Sequence, residues 1–275
     1  MLTQHTRLSG SDTKTTQYDG FELRSENKPD TVGITPEEQA IRVDLAAAYR
    51  LCALHGWDDL IYTHISARVP GPEHHFLVNP LGLGFDEITA SSLVKIDLDG
   101  NVIGESQYRP NAAGFVIHGG IHQGRDDAIS IMHLHTEHGM ALSILEEGLL
   151  PLTQHALRFY ERIGYHDYEG IALSTDERKR LINALGNHNA LVLRNHGTLT
   201  VGPSVGAAFV EMFYLEKAAK AQILALSCNR PITVPDPAVC ALTAKQWTDD
   251  FSSARNREWP ALLRKLQRLS PGYDK

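Results

Sequence analysis

Apolar residues first recur at helical spacing through Ile41, Leu45, Ala48 and Cys52. Thr35 before them, Pro36 at the first helical position and Glu38 three residues on predict a capping box, and Gly56 predicts the helix end. Residues 60–69, 76–78 and 94–97 read as strands, with Asp99-Gly100 turning into Val102-Ile103. The phrase Phe85-Asp86-Glu87-Ile88-Thr89 reads as a helix start with local capping and no chemistry. A helix is predicted over 111–123 through Ala113, Val116, Ile117 and Ile121, a strand over 128–131 and a helix over 135–146. Ser174 with Glu177 predicts the cap of a helix reaching Leu185. A strand over 190–193, a turn over 200–203 and a long helix over 204–226 follow, and 243–269 is amphipathic and basic, a solvated helix face. The small and apolar positions of 204–226 suit either a core or a subunit contact. Strands and helices mix without strict alternation, which predicts a mixed α/β fold with helices around a largely antiparallel sheet. Residues 1–33 are polar and lack periodicity, so they read as a flexible tail; 34–275 read as one domain with a C-terminal helical extension.

Composition narrows the function classes. The chain has 275 residues, 42% of them hydrophobic, and a formal net charge of -7 without a basic stripe, which argues against a nucleic-acid partner. No apolar run reaches membrane-spanning length, and the first residues form no signal-peptide core, so the expectation is no membrane partner and a cytoplasmic location. The three cysteines, Cys52, Cys228 and Cys240, are scattered and make neither a disulfide framework nor a thiolate cluster.

The most informative chemistry is Met132-His133-Leu134-His135-Thr136-Glu137-His138, directly after a strand-like run, with His196 in Arg194-Asn195-His196-Gly197 after another. Side chains two apart on a strand share a face, which sets His133 and His135 together. Three imidazoles and one open position form the pattern of a catalytic metal site. The expectation is one divalent ion, Zn²⁺ first, with Mn²⁺ or Fe²⁺ as alternatives. A proton carrier is also needed, and His118, His64 and Glu137 are the candidates; Glu137 begins a helix, where a carboxylate also favours the positive end. Tyr165 and His166 could line the site or form a tight connection, and Arg68 and Arg109 could hold a substrate carboxylate or make surface salt bridges.

Six ordered blocks resemble the class II aldolase/adducin family: His-Ile-Ser-Ala-Arg at 64–68, Phe-Asp-Glu-Ile-Thr at 85–89, Gly-Phe-Val-Ile-His at 114–118, His-Leu-His-Thr at 133–136, Tyr-His-Asp-Tyr-Glu-Gly at 165–170 and Arg-Asn-His-Gly at 194–197. The resemblance covers roughly residues 35–230. It implies a three-layer fold with a central antiparallel sheet flanked by helices, a divalent metal on His133, His135 and His196, and a homo-oligomer, commonly a tetramer with sites at subunit boundaries. The departures matter equally. The sugar-phosphate aldolases of the family carry a catalytic glutamate where this chain has Gly114, and phosphate contacts where it has Ala112, Ala113 and the pair Thr63-His64. The expected activity is therefore a metal-dependent lyase, cleaving or decarboxylating a small unphosphorylated oxo- or hydroxy-acid. The alternatives are an Fe²⁺-dependent oxygenase on the same histidines and a non-enzymatic, adducin-like interaction module; retention of all three ligand-type histidines speaks against the last.

Overall fold

The computed structural model describes residues 33–71, 73–110, 112–171, 176–249 and 257–275, with the backbone alone at 112–116. The segment read as a tail and the Ser174 cap lie outside the described residues, Gly33 excepted. Helix α1 (Pro36–His55) starts as its sequence predicts: the Thr35 hydroxyl accepts the Glu38 amide, and Gly56 ends the helix at φ 66°. The carboxylate of Glu38, however, turns inward to Arg42 and Lys95 instead of closing the capping box.

Strands β1 (His64–Arg68), β2 (Phe76–Val78), β3 (Val94–Ile96), β4 (Ser130–Leu134), β5 (Ile163–His166), β6 (Ala190–Leu193) and β7 (Gly197–Gly202) form one seven-stranded sheet in the order β3-β2-β1-β4-β7-β6-β5. All neighbours are antiparallel except β5 and β6. Alternation sorts the side chains onto two faces. On one face Ile65, Ala67, Leu77, Met132 and Leu134 pack under α1, α5 (Val205–Ser227) and α7 (Glu258–Leu269). On the other, Ile131, Leu191, Leu193, Leu199 and Val201 pack under α2 (Ala112–Gly124) and α4 (Glu177–Leu185). Helix α3 (Glu137–Ile144) follows β4 directly and joins β6 and α5 through Leu142, and α6 (Pro237–Asp249) lies between α5 and α7 in the chain.

Several expectations are corrected. Residues 60–63 precede the first strand, because Leu60 and Thr63 hold positive φ angles, 53° and 62°, that break extended pairing. Phe85–Glu87 is a short 3-10 turn and no α-helix follows; Thr89 and Ser92 instead bond each other's amides, which closes the backbone on itself. Residues 200–202 are not a turn but the end of β7, since this segment pairs with β4 on one side and β6 on the other. The Gly-Pro pair acts one step later, where Ser204 caps α5 through the Ala207 amide. Of the small and apolar positions of α5, Ala207, Val210, Leu215 and Ala218 are buried within this chain's own core, while Phe213 and Ile223 are half-buried.

Candidate metal centre

His133 points from β4 toward the α2 face, His135 follows just past the strand end, and His196 comes from the connection between β6 and β7. One nitrogen from each lies within 4.8 Å of the others. The approach depends on Gly197: a Cβ there would stand 2.5 Å from the Leu134 carbonyl oxygen and 3.1 Å from the His135 ring. Only glycine lets the His196 loop close onto the end of β4.

Hydrogen bonds decide which ring nitrogens are free. A carbonyl only accepts, so Nδ1–H of His133 donates to the Thr198 oxygen at 3.1 Å. Nδ1–H of His135 likewise donates to the Asp59 carboxylate at 2.9 Å. In its neutral form each ring then keeps Nε2 as a lone-pair donor, and the two Nε2 atoms face each other at 3.2 Å. Two opposed lone pairs repel unless a cation lies between them, and carboxylate- or carbonyl-bound imidazoles are the usual metal ligands. The donor set therefore fits a divalent ion. Burial, then the charges of His64, His196 and His135, holds His133 well below the ordinary range, and burial, then His135 and His166, lowers His196 to about 4.

His64 sits directly across from His133 in the β1–β4 register, with ring centroids 5.2 Å apart. Its Nδ1 is 2.9 Å from Nε2 of His118, and both rings are buried. Glu137 is placed elsewhere. Thr136 caps α3, and the exposed Glu137 lines an open recess with His55, Trp57, His138, Phe213 and Lys217. Thr136 and His138 anchor this corner to α5 through the two oxygens of Glu216. His166 lies in a small recess beside His196 and meets Glu177 at 3.2 Å. Tyr165 is structural: its hydroxyl accepts the Leu149 amide, and Arg194 stacks on its ring. Arg68 meets the His122 carbonyl and His74, and Arg109 is exposed.

Asp59, Ser66 and His122 escaped the sequence reading. Asp59 had no local signal, being 76 residues from the histidine it orients. Ser66 and His122 did have one: positions 64 and 66 share a strand face, and 118 and 122 share a helix face. The buried His122 also carries a stability consequence. Burial, then the Arg68 charge, lowers its pKa from 6.5 to about 3. The unfolded chain then binds more protons below about pH 6.5, so the stability that neutral His122 permits is complete above that pH and is lost as pH falls toward 3. At about 1.4 kcal/mol per pH unit, going from pH 6.5 to 5 costs about 2 kcal/mol for this residue. Urea unfolding at pH 7 and pH 5 should show His122→Asn losing about that much less than wild type; equal losses would exclude the coupling.

Residues 43–223 match the family described as Class II Aldolase and Adducin N-terminal domain. A Caulobacter vibrioides protein named for the class 2 aldolases is 53% identical over 241 residues, 87% of this chain and 94% of its own length. Rat alpha-adducin is 42% identical over 201 residues, which span 72% of this chain but 27% of that longer protein. Among solved structures, an aldolase II superfamily protein from Pseudomonas syringae superposes with a TM-score of 0.84 at 46% identity, covering 88% of this chain and 98% of that one. The L-fuculose 1-phosphate aldolase of Glaciozyma antarctica superposes with a TM-score of 0.75 at 29% identity, covering 88% and 96%. The chain belongs to the class II aldolase and adducin N-terminal domain family.

Proposed function

We propose that this chain is a metal-dependent lyase that cleaves or decarboxylates a small, unphosphorylated oxo- or hydroxy-acid. The observation that carries this reading is the convergence of His133, His135 and His196 with Nδ1 of the first two committed to protein acceptors. A divalent ion there would supply a positive charge that polarises an oxo group or carboxylate and offsets negative charge developing on the substrate. His64 stands beside His133, bound through one nitrogen to His118, and its other nitrogen serves as the proton carrier. The exposed Tyr168, its ring 6.3 Å from that of His196, borders the approach to the site.

The substrate class follows from what is missing. Phosphate recognition needs amides, hydroxyls or cations aimed at its oxygens. Ala112 and Ala113 supply no side-chain donor, and Gly114 carries no carboxylate to act as base. Thr63 keeps a left-handed backbone, φ 62°, which glycine adopts freely and a β-branched residue resists. Assayed on a panel of substrates, the protein should turn over L-fuculose 1-phosphate at least tenfold more slowly than authentic family aldolases, and its activity on an acid should collapse in the His64→Ala, His118→Ala double variant. Comparable sugar-phosphate turnover, or a fully active double variant, would overturn the reading. Iron in protein purified without oxygen, with oxygen-dependent turnover, would favour an oxygenase. The resemblance also leads us to a homotetramer; a monomer at micromolar concentration in sedimentation would refute it.

A further inference from the structure

Behind the metal centre, β1 presents His64, Ser66 and Arg68 to α2, which answers with His118 and His122 one turn apart. Four of these side chains form an unbroken line of hydrogen bonds. His64 Nδ1 meets His118 Nε2 at 2.9 Å, and His118 Nδ1 meets the Ser66 hydroxyl at 2.6 Å. The same hydroxyl meets His122 Nε2 at 2.8 Å, and His122 Nδ1 meets the Ala128 carbonyl oxygen at 3.0 Å. All four side chains are buried.

The far end of this line can be read in one direction only. The Ala128 carbonyl cannot donate, so the hydrogen of His122 sits on Nδ1. His122 is neutral, its pKa lowered to about 3, so its Nε2 is bare and the single hydrogen of Ser66 must point to it. Ser66 then has only lone pairs left for His118, whose Nδ1 must carry a hydrogen. Burial, then the His122 and His133 charges, keeps His118 neutral as well, so its Nε2 is bare and accepts from Nδ1–H of His64. What remains on His64 is a bare Nε2, on the ring that stands against His133.

We infer that Ser66 and His122 are positioning residues: through a one-way hydrogen-bond line they set the tautomer of His118 and His64, and so present His64 Nε2 at the metal centre as a proton acceptor. The use of that acceptor rests on the lyase reading; the tautomers themselves do not. A substrate proton taken up at His64 thus meets a lone pair already in place.

The test is a spectroscopic one on the full chain labelled with [15N]histidine, free of metal and again loaded with Zn²⁺. Two- and three-bond 1H–15N couplings distinguish the ring tautomers. Wild-type protein should show His64, His118 and His122 all as Nδ1–H in both samples. A His64 or His118 signal of the Nε2–H form would overturn the inference, whether or not any variant folds. Ser66→Ala, which removes the link, and His122→Asn, which keeps a donor for Ala128 but loses the acceptor for Ser66, should release His118 and His64 into mixed tautomers. Ser66→Thr should restore the wild-type pattern, and none of the three should change Zn²⁺ stoichiometry. Unchanged tautomers in both disrupting variants would also refute the claim. If the protein bound no metal while the tautomers held, the lyase reading would fall and this assignment would stand.

Discussion

Replacing His133, His135 and His196 together by alanine is expected to bring bound metal down to background, measured by inductively coupled plasma mass spectrometry on protein equilibrated with Zn²⁺, Mn²⁺ or Fe²⁺. The three rings supply every histidine donor of the cluster, and among the described residues no other group of metal-ligating side chains meets at one point. Asp59→Ala should act through its neighbour: without a carboxylate on Nδ1, His135 loses its fixed orientation, and metal affinity should fall about 10- to 100-fold. Unchanged stoichiometry in the triple variant would remove the basis for the metal centre. Unchanged affinity in Asp59→Ala would show that the strand end alone holds the ring.

Arg158→Met is expected to cost the fold about 3–5 kcal/mol, the typical loss when one member of a buried ion pair is removed. Arg158, in a 3-10 turn, donates two hydrogen bonds to Glu211 of α5, at 2.9 and 2.8 Å, and the pair is almost wholly buried. The guanidinium also lies beside the Tyr214–Trp247 ring pair, 5.1 and 4.8 Å from the ring centroids. Burial already pushes the Glu211 carboxyl above its ordinary range, with Arg158 pulling the other way. Without Arg158 that carboxyl must take up a proton or stay buried without its hydrogen-bond partner, with only the charge of Arg162 nearby. The double variant Arg158→Met, Glu211→Leu should recover most of the loss, because apolar pairs of similar volume replace such bridges at little cost. Urea unfolding at pH 7 decides; a single variant within 1 kcal/mol of wild type would show that solvent reaches the site.

Local signals in the chain led to the right elements where the cause was local. Thr35, Pro36 and Gly56 bound α1, Ser204 caps α5, and the apolar run of β6 coincides with its strand. The three histidines of the candidate centre also come together as expected, although His135 lies one residue past the end of β4 and strand alternation alone does not place it. What escaped depends on distant partners. β5 is only four residues long, and its fully buried positions are Gly164 and His166, not Ile163 and Tyr165; it is a strand because β6 pairs with it in parallel. β7 was obscured by Gly202-Pro203, and its true extent follows from pairing on both sides. Asp59 acts on a histidine far along the chain, and Glu137, beside the ligands in sequence, faces a different recess because the helix cap turns the backbone there.

The strand order also governs when the protein can acquire its centre during folding. β4 has no neighbour in the sheet that is close in sequence: Ser130 bonds Ser66 across 64 residues, and His133 bonds Thr198 across 65. Such long closures must be made before their contacts give any return, and chains dominated by them fold on the millisecond-to-second scale. The hairpin of β6 and β7 and the long helices can form earlier, since their contacts are local. The three imidazoles converge only once β4 has been clamped from both sides. Metal added to refolding protein should therefore leave the early phases unchanged and act as a latch on the last one, slowing unfolding more than it speeds folding.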